Sequence, residues 1–135
     1  MRTLRDRLEA ALTQRIRHCF VVGDRDNRIP NTTSIAFEYI EGESILLLLD
    51  HAGIAASLGS ACSTGSFEPS HVMRAMQIPD TAIHGVVRFS LSRDNTDDDV
   101  DRVIEVMPRI VDKLREISPF KSEEEAREAP VQVHA

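Results

Sequence analysis

The sequence predicts an α/β fold, with α+β as the alternative, in which helices cover one small sheet. Apolar residues recur at helical spacing over 2–17 and 97–117, and a leucine-rich segment at 42–51 is typical of a buried helix. Between these segments, apolar and polar residues alternate at 32–39 and 85–92, as in half-buried strands. Hairpin turn signals are absent, so helices and strands interleave along the chain.

Composition limits the classes of function. The 135 residues suffice for one domain, and 41% hydrophobic with 28% charged residues is typical of a folded protein. Sixteen Lys and Arg against 22 Asp and Glu give a net charge of -6, which argues against a nucleic-acid partner. The apolar runs are too short to span a bilayer, and the charged N-terminus does not resemble a signal peptide. We therefore expect a cytoplasmic protein with no membrane partner.

The first half of the chain divides into five predicted elements. A stripe of Leu4, Leu8, Leu12 and Ile16 predicts the opening helix. A brief strand at Cys19–Val22, a strand at Thr32–Tyr39 and a helix at 42–51 follow. Gly53 provides the cap of that helix, and Ile54–Ala56 forms a short strand.

The second half begins with small, uncharged residues at 57–66, which predict a mobile loop. A short helix near 69–76 and the strand at 85–92 come next. Thr96 then provides an N-cap, and Asp97–Asp99 place carboxylates at the start of the long helix, which Pro108 should bend. We expect residues 1–120 to form one domain and residues 121–135 to be an acidic, disordered tail.

Two cysteines, Cys19 and Cys62, match neither a disulfide framework nor a paired metal-ligand spacing, so we expect free thiols and no bound metal. Cys19 lies in an apolar run and is predicted to be a core residue. Cys62 lies among small residues between Gly59 and Gly65, which suits a reachable nucleophile. A small buried residue in a tight turn explains the same pattern equally well. The sequence near Cys62 supplies no cation to lower its pKa; His71 or a bound substrate would have to do so.

Arg88 occupies the more polar face of the strand predicted at 85–92. Its planar guanidinium could clamp a carboxylate of a ligand. An ion pair with Glu38 or another surface acid is the alternative.

The segment 59–75, GSACSTGSFEPSHVMRA, resembles the catalytic-cysteine segment of the NifS/IscS-type cysteine desulfurases, pyridoxal-phosphate enzymes of the class V aminotransferase fold. Three further matches occur in the family's order: Pro30–Thr32, Ile40–Ser44 and Val87–Arg93. The resemblance extends to about residue 119, is closer to the NifS branch, and covers only the family's last third. Leu58 departs from the pattern, since the family usually has a small residue there.

The resemblance implies that Cys62 is the nucleophile that takes sulfur from L-cysteine, becomes a persulfide and leaves L-alanine. It also implies that Arg88 binds the substrate carboxylate. An iron-sulfur scaffold protein would accept the sulfur, so Cys62 could touch an iron-sulfur cluster transiently through its persulfide. The complete enzyme would be a homodimer that uses pyridoxal phosphate.

The two lysines of the chain, Lys113 and Lys121, do not lie in the family's cofactor-lysine context. We therefore expect no cofactor-binding residues here, because the large pyridoxal-phosphate domain is missing, and no desulfurase activity from the chain alone. Two other hypotheses stay open: a free-standing persulfide carrier that uses Cys62, and a nonfunctional truncated remnant.

Overall fold

The computed structural model of the chain describes residues 2–23, 31–58 and 78–118. Helices and strands are interspersed along these ranges. The helices are α1 (Arg2–Arg15), α2 (Gly42–His51), α3 (Asp80–Ile83) and α4 (Asp97–Ile117). The strands are β1 (Cys19–Val22), β2 (Thr32–Phe37), β3 (Ser57–Leu58) and β4 (Val86–Ser90).

The described strands form one antiparallel sheet in the order β1-β2-β4-β3. The central pair is β2 and β4, whose register runs from Thr32 opposite Ser90 to Ala36 opposite Val86. The mixture of helices with one small sheet confirms the predicted fold class.

One face of the sheet packs under α1, α2 and α4, and the main hydrophobic core lies there. Alternate residues of the central strands, among them Ile35 and Phe37 of β2 and Val87 and Phe89 of β4, point into it. Each of the three helices contributes one apolar stripe to this core. The stripes of α1 and α2 include Leu8, Leu12, Ile45 and Leu49. The stripe of α4 has seven buried residues: Val100, Val103, Ile104, Met107, Ile110, Val111 and Leu114.

A smaller apolar cluster lies on the opposite face of the sheet. Val86 of β4 and Ala36 of β2 pack there against Ala82 and Ile83 of α3, together with Val22 and Ile78. The remaining residues of β4 on this face, Arg88 and Ser90, are exposed. The two faces of the sheet therefore differ: one is covered by long helices, and the other combines a small apolar cluster with polar side chains.

The sequence predictions agree with most of these bounds. The helix at 42–51 is confirmed, and the long helix runs without a break from Asp97 through Pro108 to Ile117. The strand at Cys19–Val22 is confirmed as well, whereas the opening helix and the strands predicted at 32–39 and 85–92 are shorter in the structure by two or three residues. The helix predicted near 69–76 and the tail predicted at 121–135 lie outside the described residues.

The short strand predicted at Ile54–Ala56 is wrong. The strand lies at Ser57–Leu58, where the sequence predicted the start of a mobile loop, and it pairs with Arg88 and Val87 of β4. Ile54 instead takes part in the cap that follows α2, because its N–H donates to the carbonyl of Leu49. Local composition could not predict this position, because the strand forms by hydrogen bonding to β4, which lies about 30 residues further along the chain.

Helix caps explain why α2 and α4 end and begin where they do. After α2, Gly53 adopts a φ of 79° and donates to Asp50, while Ile54 donates to Leu49, so a Schellman motif closes the helix. At the start of α4, Thr96 and Asp99 form a capping box. Hydrogen bonds from the Thr96 backbone N–H and from the Asn95 side chain hold the pKa of Asp99 below its ordinary value.

Arg115, near the end of α4, ties together two chain connections at the edge of the sheet. Its guanidinium donates to the carbonyls of Arg17 (2.6 Å), His18 (3.0 Å) and Glu38 (3.2 Å). His18 and Tyr39 both have positive φ angles, 55° and 72°, and their rings pack edge to face. These left-handed conformations are unfavourable for residues with a Cβ, so the contacts of Arg115 help to hold them.

The described ranges lack two kinds of feature. Residues 2–23, 31–58 and 78–118 contain no helix that is both long enough and apolar enough to cross a membrane. Within the same ranges, no group of three or more His, Cys, Asp and Glu side chains could hold a metal ion.

We expect Arg115→Met to lower the free energy of unfolding by about 2–4 kcal/mol, because three carbonyls lose a charged donor. The matched control is Arg109→Met, which removes an exposed arginine 3.7 Å from Glu105 on the same helix. The control should cost less than about 0.5 kcal/mol, since exposed ion pairs contribute little. Urea unfolding of the three proteins measures the difference, and equal losses in the two variants would contradict the role given to Arg115.

We expect Thr33→Val to raise the free energy of unfolding by about 1 kcal/mol, because the Thr33 hydroxyl is buried and has no hydrogen-bond partner among the described residues. Thr32→Val is the matched control. Thr32 is the adjacent residue, lies on the other face of the sheet and donates to Asn31. Thermal unfolding of both variants tests the expectation, and a destabilised Thr33→Val protein would show that the hydroxyl is satisfied in solution.

Candidate functional site

Arg88 is the predicted site residue that the structure describes, and the alternation of β4 determines where it lies. Val87 and Phe89 point into the core beneath the long helices. Arg88, between them, therefore points to the opposite face of the sheet, where it is exposed. The fold thus presents this cation on the face that α1, α2 and α4 do not cover.

The neighbours of Arg88 across the sheet are small polar residues. Ser34 of β2 lies opposite it on one side, and Ser57 of β3 lies opposite it on the other. Thr32 and Ser90, one pair further along the central strands, lie on the same face. Among the described residues, the strand neighbours of the guanidinium on this face are therefore small and polar.

Among the described residues, the Arg88 side chain makes one hydrogen bond, in which its Nε donates to the Oγ of Ser57 at 3.1 Å. Within the described parts of the chain, no carboxylate lies within ion-pair distance of its guanidinium. The ion pair with Glu38 that the sequence offered as an alternative is not formed. A Glu38 carboxylate oxygen instead accepts a hydrogen bond from the Thr81 hydroxyl at 3.0 Å.

Cys62, the other predicted site residue, lies outside the described residues, as does His71. The segment that contains Cys62 follows β3 directly, and Ser57 precedes Cys62 by five positions in the sequence. The strand that leads into this segment therefore pairs with Arg88.

Cys19 is half-buried and packs against the main core, as the sequence predicted. Its thiol lies 3.2 Å from the carbonyl of Ile16, to which it donates. Burial raises the pKa of Cys19 to about 11, and the positive charge of Arg115 opposes this only in part. A thiol with this pKa is almost entirely protonated at neutral pH and is a poor nucleophile.

Ser57 was missed by sequence reasoning, which placed it in a loop. A serine in a run of small residues carries no signal for a contact with a residue 31 positions away. The contact forms only because β3 pairs with β4 in the folded chain.

Comparison with known proteins identifies the family. Residues 1–103 match the family model described as aminotransferase class-V. The chain belongs to the class-V aminotransferase family. It shares 65% identity over 120 residues with a cysteine desulfurase of Gluconacetobacter diazotrophicus, and 65% over 119 residues with the cysteine desulfurase NifS of Azotobacter vinelandii. These alignments cover 89% and 88% of this chain but 30% of each relative.

Solved structures of this family have the same fold. A NifS-like protein superposes with a TM-score of 0.69 at 26% identity, covering 84% of this chain and 27% of its own. A NifS-like protein from Rickettsia africae gives a TM-score of 0.67 at 28% identity, with 82% and 28% covered. The chain therefore corresponds to less than a third of the proteins it matches.

Pyridoxal phosphate is the cofactor of the family, and the described residues do not fit it. Its aldehyde needs a lysine close to the substrate site. Lys113 is the lysine within the described ranges, and it is exposed on α4. Because α4 packs on the face of the sheet opposite to Arg88, Lys113 and Arg88 cannot serve one substrate within this domain. We therefore derive no reaction step on the cofactor from these residues.

We expect Cys19 to react slowly with iodoacetamide in a Cys62→Ser variant, where it is the remaining thiol. A pKa of about 11 leaves about 10²-fold less thiolate at pH 8 than an ordinary cysteine has. Mass spectrometry over time measures the alkylation rate, and the same variant unfolded in urea is the control. Equal rates in the folded and unfolded protein would contradict the burial assigned to this thiol.

Proposed function

We propose that this chain is the part of a cysteine desulfurase that supplies the nucleophile, Cys62, and the residue that binds the substrate carboxylate, Arg88. One observation carries the proposal. Arg88 is an exposed cation with no described acid beside it, on the face of the sheet that the long helices leave open. The 65% identity to proteins named cysteine desulfurase supports the assignment of the reaction.

In the proposed reaction, a carboxylate of L-cysteine binds the guanidinium of Arg88 through charge-assisted hydrogen bonds. The thiolate of Cys62 attacks the substrate sulfur. The net change converts the Cys62 thiol and L-cysteine into a Cys62 persulfide and L-alanine, which balances without an external oxidant or reductant. Pyridoxal phosphate supplies the electron sink of this chemistry, and polypeptide outside these 135 residues would bind it.

The proposal extends to the organisation and partners of the protein. Residues 1–120 would form the domain and residues 121–135 an acidic, disordered tail. The complete enzyme would be a cytoplasmic homodimer that passes sulfur to an iron-sulfur scaffold protein. Cys62 would then contact the metal cluster only transiently, through its persulfide.

We expect this chain to form an active desulfurase when it replaces the corresponding 30% of the Azotobacter vinelandii relative. With L-cysteine and pyridoxal phosphate, the joined protein should release L-alanine. Cys62→Ser should reduce that release at least about 10²-fold, since it removes the attacking thiolate. Cys19→Ser, which removes the buried thiol, is the matched control and should keep most of the activity.

The outcomes separate the proposal from the alternatives. Alanine release that survives Cys62→Ser would contradict the role of Cys62. Appreciable alanine from the 135-residue chain alone would contradict the need for a separate cofactor domain. An inactive joined protein, combined with a soluble 135-residue chain that acquires cyanolysable sulfur on Cys62 from a complete desulfurase, would favour the persulfide carrier instead.

A further inference from the structure

The hydrogen bond between Arg88 and Ser57 restricts how the guanidinium can meet a ligand. Ser57 and Arg88 lie directly opposite each other in the register of β3 and β4. The backbone pairing holds both Cα atoms, and the Nε to Oγ bond at 3.1 Å holds the plane of the side chain. Without such a hydrogen bond, the rotatable bonds of an exposed arginine allow its guanidinium to adopt several orientations.

A guanidinium can bind a carboxylate along either of two edges. One edge presents Nε and one terminal nitrogen, and the other presents the two terminal nitrogens, Nη1 and Nη2. In this structure Ser57 occupies the Nε donor of Arg88. The edge formed by Nη1 and Nη2 has no acidic partner among the described residues, so it is the edge that remains for a ligand.

We propose that Ser57 is a positioning residue for the carboxylate of the substrate: it orients Arg88 so that the carboxylate binds at the Nη1–Nη2 edge. This inference rests on the proposed function, because it assigns a carboxylate ligand to Arg88. It goes beyond that function by assigning a role to Ser57 and a direction of approach to the ligand.

We expect the stability of the fold to depend little on the Ser57 hydroxyl. Ser57 belongs to a two-residue edge strand, its side chain lies on the face opposite to the main core, and Arg88 is exposed. A purely structural bond at such a site contributes little to the free energy of unfolding. Its loss should therefore change substrate binding rather than folding.

The first experiment measures the orientation of Arg88 in the 135-residue chain itself. In a protein labelled with ¹⁵N-arginine, the Nε–H signal of Arg88, assigned by its loss in Arg88→Lys, should exchange slowly with water. Ser57→Ala should accelerate that exchange several-fold, and Ser57→Thr, which keeps a hydroxyl, should restore it. Equal exchange in Ser57→Ala and the unsubstituted chain would overturn the positioning role.

The second experiment measures catalysis in the joined enzyme described above. We expect Ser57→Ala to raise the KM for L-cysteine about 3- to 10-fold, in line with the loss of one hydrogen bond, while kcat stays within about twofold. Ser57→Thr should return KM to near its original value, and Arg88→Lys should raise KM further than Ser57→Ala. Ser44→Ala, in α2 on the other side of the sheet, is the matched control and should leave KM unchanged.

The two experiments distinguish the failure of this inference from failure of the proposed function. An unchanged KM in Ser57→Ala, in an enzyme whose KM does respond to Arg88→Lys, would overturn the role of Ser57 alone. A joined enzyme without any desulfurase activity would contradict the proposed function. The Nε–H exchange would still decide whether Ser57 orients Arg88.

Discussion

The register of the central strand pair is the constraint on which the other features depend. Five residue pairs, from Thr32 with Ser90 to Ala36 with Val86, fix β4 against β2. A slip of one residue would turn every side chain of β4 to the other face. Arg88 would then lie beneath the long helices, and Val87 and Phe89 would lie in water. Burying an unpaired guanidinium is costly, whereas burying valine and phenylalanine is favourable, so both effects favour the observed register.

Two arginines with opposite roles follow from this arrangement. Arg115 is half-buried at the end of α4, and backbone carbonyls of two chain connections satisfy its guanidinium. Arg88 is exposed and shares one donor with Ser57, which leaves its terminal nitrogens without an acidic partner among the described residues. A guanidinium whose donors are taken up by backbone carbonyls stabilises the fold. One whose donors remain available suits the binding of an anion.

The sheet also separates the half-buried thiol of Cys19 from Arg88, the proposed binding residue. The long helices and Cys19 lie on the core side of the sheet, where burial keeps the Cys19 thiol protonated. Arg88 lies on the other side, on the strand that pairs with the residues leading into the segment of Cys62. In the relatives, this domain makes up about 30% of the chain. The open face is therefore the side on which we expect the remainder of a complete desulfurase to meet the substrate.

Much of the fold could be predicted from the sequence, because hydrophobic periodicity and helix capping depend on residues that are close together in the chain. The stripes of α1 and α4, the alternation of β2 and β4, the Gly53 cap and the Thr96 cap all depend on residues within a few positions of each other. The sequence also singled out Cys62 and Arg88 by motif. The position of β3, the hydrogen bond of Ser57 to Arg88 and the contacts of Arg115 with carbonyls 77 to 98 positions away could not be predicted. Those contacts exist only after the strands have paired and the helices have packed, since a backbone carbonyl gives no signal in the sequence of which donor it will meet.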